Sequence, residues 1–353
     1  MNDQQNRFLE KTFEFGRTLY NATLGTVLGR LQRMRETKAW REARDMPKGK
    51  ARTIAFNAVH KVFGPTEFGL AIIANNHRKA SGRNDIGAHE AQNIGKTVWK
   101  ALQRHMFRKA GRPRFKSFRR GLNSIEGSDN REIMYKPQLG SIVWRKHAIK
   151  YMKPDTVYMK EALASDRKVK YCRIVRRSLN GVKRWFVQLL VEGLPPVRKV
   201  YAPKCEVVGI DPGPSRIAYF HENHAAIAEV APHVDLKEPQ IRRLQRKMDR
   251  SRRANNPDNY NPDGTVKKGS STWNTSNRGR RTAAKLAEHH RCLAATRKRD
   301  HGELVNDLLQ IGGTIKIEKN NYRSFQRCFG RSIKRRGMGE FVEHLKRKAE
   351  SCS

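Results

Sequence analysis

The sequence predicts a multidomain α+β protein, and three observations carry that prediction. Over the first 110 residues apolar side chains recur mostly at three- and four-residue steps. Between Ser141 and Val197 they fall into short β-rich runs with polar breaks. From 205 to 353 strand-like and helix-like stretches alternate. The expected organisation is a helical module at 1–110, a small β-barrel or sheet module with a basic linker at 111–204, and an α/β domain at 205–353.

Residues 4–44 read as one long amphipathic helix or two, with Phe8, Leu9, Phe13, Leu19, Leu24, Val27, Leu28 and Leu31 on the apolar face. Met46-Pro47-Lys48-Gly49 breaks it. Further helices are expected at about 50–62 and 66–78. Another stripe runs through Ala91, Ile94, Val98, Ala101, Leu102 and Met106. In the β-rich part, Ile142, Trp144, Ile149, Tyr151, Val157 and Tyr158 are strand candidates. Lys170–Gly193 reads as a hairpin, because Asn180-Gly181 supplies the positive-φ turn between its arms. In the last part, CEVVGIDPG, SRIAYF, AAIAEV and GTIKIEKN are strands, with a polar tip near Glu222-Asn223. Helices are expected at Ile241–Arg253, at about 278–310 and at Gly339–Glu350, with a loop over Asn255–Asn277.

The charge restricts the partner. Lys and Arg total 74 against 33 Asp and Glu, a net +41 spread along the whole chain. A compact body so charged repels itself and calls for a polyanion, and nucleic acid is the expected one. No apolar run reaches the roughly 18 residues of a membrane span, and the N-terminal stretch lacks the apolar core of a secretory signal. The five cysteines are odd in number and form no CxxC pair, which argues against a disulfide framework and a zinc ribbon and for a cytoplasmic, reduced protein.

Two basic segments suit a phosphate backbone. In Gly111–Arg120, Arg112, Arg114, Lys116, Arg119 and Arg120 interleave with Phe115 and Phe118. Either they clamp phosphates while a Phe stacks on a base, or the segment is a solvated turn anchored by its Phe residues. Residues 241–300 hold 17 Lys and Arg against 5 acids. Arg278, Arg280 and Arg281 open the helix there and are candidate backbone contacts, the alternative being a solvated basic face. Arg323, Arg327 and Arg331 recur every four residues and are open to the same two readings.

The candidate chemistry rests on two carboxylates. Asp211 ends an apolar strand before Pro212-Gly213, at the strand edge where α/β sheets bind ligands, although Asp before Pro-Gly also serves simply as a turn former. Glu318 ends a second such strand. Carboxylates converging from neighbouring strands hold Mg²⁺ or Mn²⁺ in two-metal nucleases. Other constellations fail. His221–His224 is HENH and not HExxH, His289-His290 and Cys292 lack a second ligand pair, Gln326–Gly330 matches no protease signature fully, and no P-loop is present.

These motifs together resemble a family. VVGIDPG and IKIEKNNYRSFQRCFGRSIKRRGMGEFVEHLKRKAE resemble the first two RuvC motifs of the TnpB (OrfB) proteins, which insertion sequences encode and which are related to type V CRISPR effectors. GRPRFKSF and FLEKTFEFGRTLYNATL resemble that family's linker and first helix, so the likeness runs from about residue 8 to residue 350. It implies a helical recognition module, a β-barrel wedge module and a RuvC domain of RNase H-like fold. It also implies a transposition-associated, prokaryotic, RNA-guided DNA endonuclease, with guide RNA and target DNA as partners and Asp211 and Glu318 as catalytic Mg²⁺ ligands. Where the family continues into a zinc ribbon and a third catalytic Asp, this sequence has no Asp after Glu318. The family's opening β-strand before the first helix also has no counterpart. The RuvC-like domain is therefore expected to be incomplete and without zinc. A non-cleaving RNA-guided DNA binder and a general RNA-binding protein are the rival expectations.

Overall fold

The computed structural model describes the chain apart from residues 108, 129–131, 153–155, 165–166, 194–204, 223, 270–271 and 351–353 and the side chains of residues 63, 128, 205, 236 and 323. It is a mixed α and β structure in two compact units, residues 1–177 with 183–194 and residues 178–182 with 195–353.

The first unit begins with helices α1 (Asp3–Glu36), α2 (Lys38–Asp45), α3 (Lys50–Phe63), α4 (Glu67–Ala80) and α5 (Ala88–Met106). Helix α1 stops because Thr37 turns extended (φ −68°, ψ 147°) and caps α2 by accepting from the Trp40 N–H. Gly95 lets α5 press against the backbone of α4, since any Cβ there would collide with the Leu70 carbonyl. The β part comprises β1 (Ser124–Ser128), β2 (Ile133–Lys136), β3 (Ser141–Trp144), β4 (His147–Lys150), helix α6 (Val157–Ala162), β5 (Val169–Leu179) and β6 (Val182–Val191). Asn180 and Gly181 hold the expected left-handed turn at φ 50° and 77°.

Two expectations are corrected here. Val157 and Tyr158 open a helix and not a strand, because the Thr156 hydroxyl accepts from the Met159 N–H and caps that turn. Among the described residues the strands pair as two three-stranded sheets, β1-β5-β6 and β2-β3-β4, which is the sheet alternative and not the closed barrel. The four-residue strands β2–β4 end in tight turns, with Arg145 at φ 55° and Gly140 at φ 56°, which leaves no length to continue the ladder. One core crosses the Gly111 border, uniting Phe13, Leu24, Leu70, Val98 and Leu102 with Ile125, Ile133 and Trp144. Inside it Glu90 is nearly fully buried, accepts from Trp144 Nε1 at 2.5 Å and from the Gly87 N–H, and burial pushes its carboxyl up.

The second unit holds β7 (Cys205–Pro212), β8 (Arg216–His221), β9 (His224–Glu229), α7 (Glu238–Ala254), α8 (Asn277–Ile311), β10 (Gly312–Ile317), α9 (Tyr322–Arg336) and α10 (Met338–Glu350). The sheet order is β10-β7-β8-β9, with β10 parallel to β7 and the other pairs antiparallel. Val208, Ile210 and Ile217 face a core completed by Val305 and Leu308 of α8 and Phe341 and Leu345 of α10. The opposite sheet face is open, with Phe220 54 % and Ile227 71 % exposed. Helix α9 is kinked at Phe329 (φ −117°, ψ 21°). The loop expected at 255–277 is ordered by asparagines: Asn256 donates to the Asn274 carbonyl at 2.9 Å and accepts from its N–H at 2.6 Å, and Asn259 donates to the Thr272 carbonyl at 2.8 Å.

Candidate functional site

Parallel pairing of β10 with β7 brings the two predicted carboxylates together. Ile317 is opposite Ile210, and the Glu318 N–H donates to the Ile210 carbonyl at 3.1 Å. The next pair in that register is Glu318 beside Asp211, one strand spacing of about 4.8 Å apart at the carboxyl ends of adjacent strands. Alternation puts both on the open sheet face, opposite Ile210 and Ile317, and both are exposed. Ala218 of β8 is the small residue directly across from Asp211. Neither carboxylate has a hydrogen-bond or ion-pair partner among the described residues. In a chain with 74 Lys and Arg, two adjacent unpaired acids are conspicuous. Asp211 is therefore not acting as a turn-forming acceptor. The turn after it closes through the Gly213 N–H and the Arg216 carbonyl at 2.9 Å.

Two positioning side chains were not legible in the sequence. Asn320 Nδ2 donates to the Pro212 carbonyl at 3.1 Å, and Ser332 Oγ donates to the Pro214 carbonyl at 3.2 Å. They tie the turn after Asp211 to the segment after Glu318 and to α9. An Asn two residues beyond a strand-end Glu carries no signal of that contact until the strands pair.

The basic segment 111–120 lies in the first unit. Asn21 of α1 grips the peptide of Lys116 from both sides, donating to its carbonyl at 2.9 Å and accepting from its N–H at 2.8 Å. Arg17 adds a bond to the same carbonyl at 3.2 Å. Lys116 lies over the Tyr20 ring at 5.2 Å. With the backbone so held, Arg112, Arg114, Arg119 and Arg120 are exposed, and Phe115 and Phe118 are 58 % and 76 % exposed. Of the two sequence readings, a turn anchored by its Phe residues does not match this exposure. Asn21→Ala is expected to free the segment: stability falls by about 1–2 kcal/mol, and limited trypsin digestion cuts first at Arg119 or Arg120, where the parent chain resists.

In the second unit Arg278, Arg280 and Arg281 are exposed in the first turn of α8, and Arg280 donates to Asn277 Oδ1 at 3.2 Å. Arg327 and Arg331 are exposed on α9, whereas the side chain of Arg323 lies outside the described ones.

His221 and His224 face each other at a hairpin tip with ring centroids 5.3 Å apart, and Cys292 Sγ donates to Glu288 at 3.4 Å. Cys352 falls outside the described residues. Among the described residues no three His, Cys, Asp or Glu side chains gather as metal ligands, and no helix is long and apolar enough to cross a membrane. Asp211 and Glu318 are exposed carboxylates at the ends of adjacent strands. Exposed carboxylate oxygens are the donor type that a hard divalent cation would take. No protein-family model and no curated protein matches the chain.

Proposed function

We propose that this protein is a nucleic-acid-binding, metal-dependent DNA endonuclease of the RNA-guided, TnpB-like kind. The observation that supports it best is the pair Asp211 and Glu318, side by side, exposed and unpaired in a chain of net charge +41. In this reading their carboxylates hold a divalent cation, which supplies charge stabilisation and water activation for phosphodiester cleavage. Asn320 and Ser332 keep the two strand ends in register. The exposed arginines of segment 111–120 and of α8 and α9 neutralise phosphates, while Phe115 and Phe118 offer stacking surfaces. Guide RNA and target DNA are the proposed partners, with sequence read by base pairing.

A second reading is a non-cleaving RNA-guided DNA binder. The observation favouring it is that no third acidic ligand joins the pair among the described residues. One experiment addresses both. The full chain, expressed with its flanking DNA, is purified and its bound RNA sequenced. One dominant RNA species is expected, and supercoiled DNA carrying the matching sequence is nicked or cut in Mg²⁺. Guide-dependent binding without cutting selects the second reading. A bound RNA pool that mirrors cellular abundance rejects both in favour of a general RNA-binding protein.

A further inference from the structure

Helix α7 carries an arginine cleft that none of the candidate residues above includes. It is lined by Arg242, Arg243, Arg246 and Arg250 of α7 and by Arg335 at the end of α9, with Asp235 and Glu238 on its wall. Every basic residue lining it is Arg, the side chain whose planar fork matches phosphate oxygens. Two of the five are fixed in place. Arg242 Nε donates to Glu238 at 2.6 Å, and Arg335 Nη1 donates to Asp235 at 2.7 Å. Asp235 also accepts from Arg336 at 2.6 Å, and Arg336 reaches the Val230 and Ala231 carbonyls, so the wall is tied to the core. The Arg242 guanidinium holds the Glu238 carboxyl below the ordinary carboxylate range, which keeps that wall charged and its arginine engaged.

The other three are different. Arg243, Arg246 and Arg250 are exposed and have no acidic partner among the described residues. Their three- and four-residue spacing puts them on one face of α7, spanning about 10 Å along the axis. Uncompensated guanidinium groups converging on one concavity repel each other, and a string of anions relieves that repulsion. A solvated basic face would be convex and laced with acids at four-residue spacing, as Arg253 is with Asp249 at 2.9 Å further along the same helix.

We infer that this cleft is a phosphate-backbone site, in which Arg243, Arg246 and Arg250 neutralise consecutive phosphates of one nucleic-acid strand against the fixed pair Arg242 and Arg335. The inference rests on the nucleic-acid-binding part of the proposed function and not on cleavage.

The test measures affinity of the full-length protein for a fluorescent DNA duplex of unrelated sequence across salt concentrations, for the parent and for the R243Q/R246Q/R250Q triple variant. Exposed side chains are changed, so equal melting temperatures are expected and are checked first. Three lost phosphate contacts should flatten the log–log salt slope by about 2.7, so that between about 50 and 200 mM salt the parent loses about fortyfold more affinity than the variant. An unchanged slope, with the parent still binding, overturns the cleft assignment alone. A parent with no salt-dependent binding to any nucleic acid overturns the underlying reading too. A variant that loses affinity for polyglutamate but keeps its duplex slope assigns the cleft to an acidic protein and also overturns the proposal.

Discussion

Alanine at Asp211 or at Glu318 is expected to remove Mg²⁺-dependent DNA cleavage while guide-dependent DNA binding survives. Each side chain ends one of two adjacent parallel strands, and register places them beside each other. Removing either leaves one monodentate contact, too little to hold a hydrated divalent ion against bulk water. The lost charge stabilisation is worth about 4 kcal/mol, or about a thousandfold in rate. Binding is spared because arginines, and not these acids, are the proposed phosphate contacts, and losing an acid from a polycation does not repel a polyanion. The measurement is plasmid cleavage by the RNA-loaded protein with Mg²⁺ titrated, beside a binding assay in EDTA. Cleavage equal to the parent in both variants would remove these residues from the site. Activity regained at high Mn²⁺ in Glu318→Gln, which keeps one oxygen donor, would support a ligand role over a purely structural one.

Replacing Arg336 by Met is expected to destabilise the second unit by about 3 kcal/mol, the lower end for breaking a buried ion pair because Asp235 is 44 % exposed. Arg336 is 7 % exposed at the end of α9. Its guanidinium donates to the Val230 carbonyl at 2.9 Å, the Ala231 carbonyl at 3.1 Å and Asp235 at 2.6 Å. Its own carbonyl accepts from His301 Nε2 at 2.7 Å, and burial pushes that imidazole below its ordinary value, so the ring stays neutral and donating. Ala231 is left-handed at φ 52°, a conformation that costs a non-glycine residue and that these bonds help to hold. The variant strands the Val230 and Ala231 carbonyls and leaves Asp235 with Arg335 as its remaining partner. Lysine, with one ammonium in place of a fork, should recover only part of the loss. Urea denaturation checks this, and a change below about 0.5 kcal/mol in the Met variant would show that the network is solvent-replaceable.

Much of the local structure was legible because its causes are local. The apolar stripe of α5, the Asn180-Gly181 turn, and the alternation Val208, Ile210 and Ile315, Ile317 each state their own period. Where a cap and a propensity disagreed, the cap won: Val157 and Tyr158 went helical behind Thr156. Charge density over 241–300 marked the segment that carries most of the arginine cleft. It could not separate arginines held by acids, such as Arg242, from Arg243, Arg246 and Arg250, which have none, because that depends on which side chains a fold brings within a few ångströms.

The sequence by itself determined the chemistry that is possible: two strand-end carboxylates, a large excess of arginine and lysine, and the helical and β segments that carry them. Tertiary structure alone decided which of these residues meet. Asp211 and Glu318 stand 107 positions apart in the chain. They become neighbours only because burying Val208, Ile210, Ile315 and Ile317 against α8 and α10 sets one register of β10 on β7. A slip of one residue would turn those apolar side chains to solvent and separate the carboxylates in the same step.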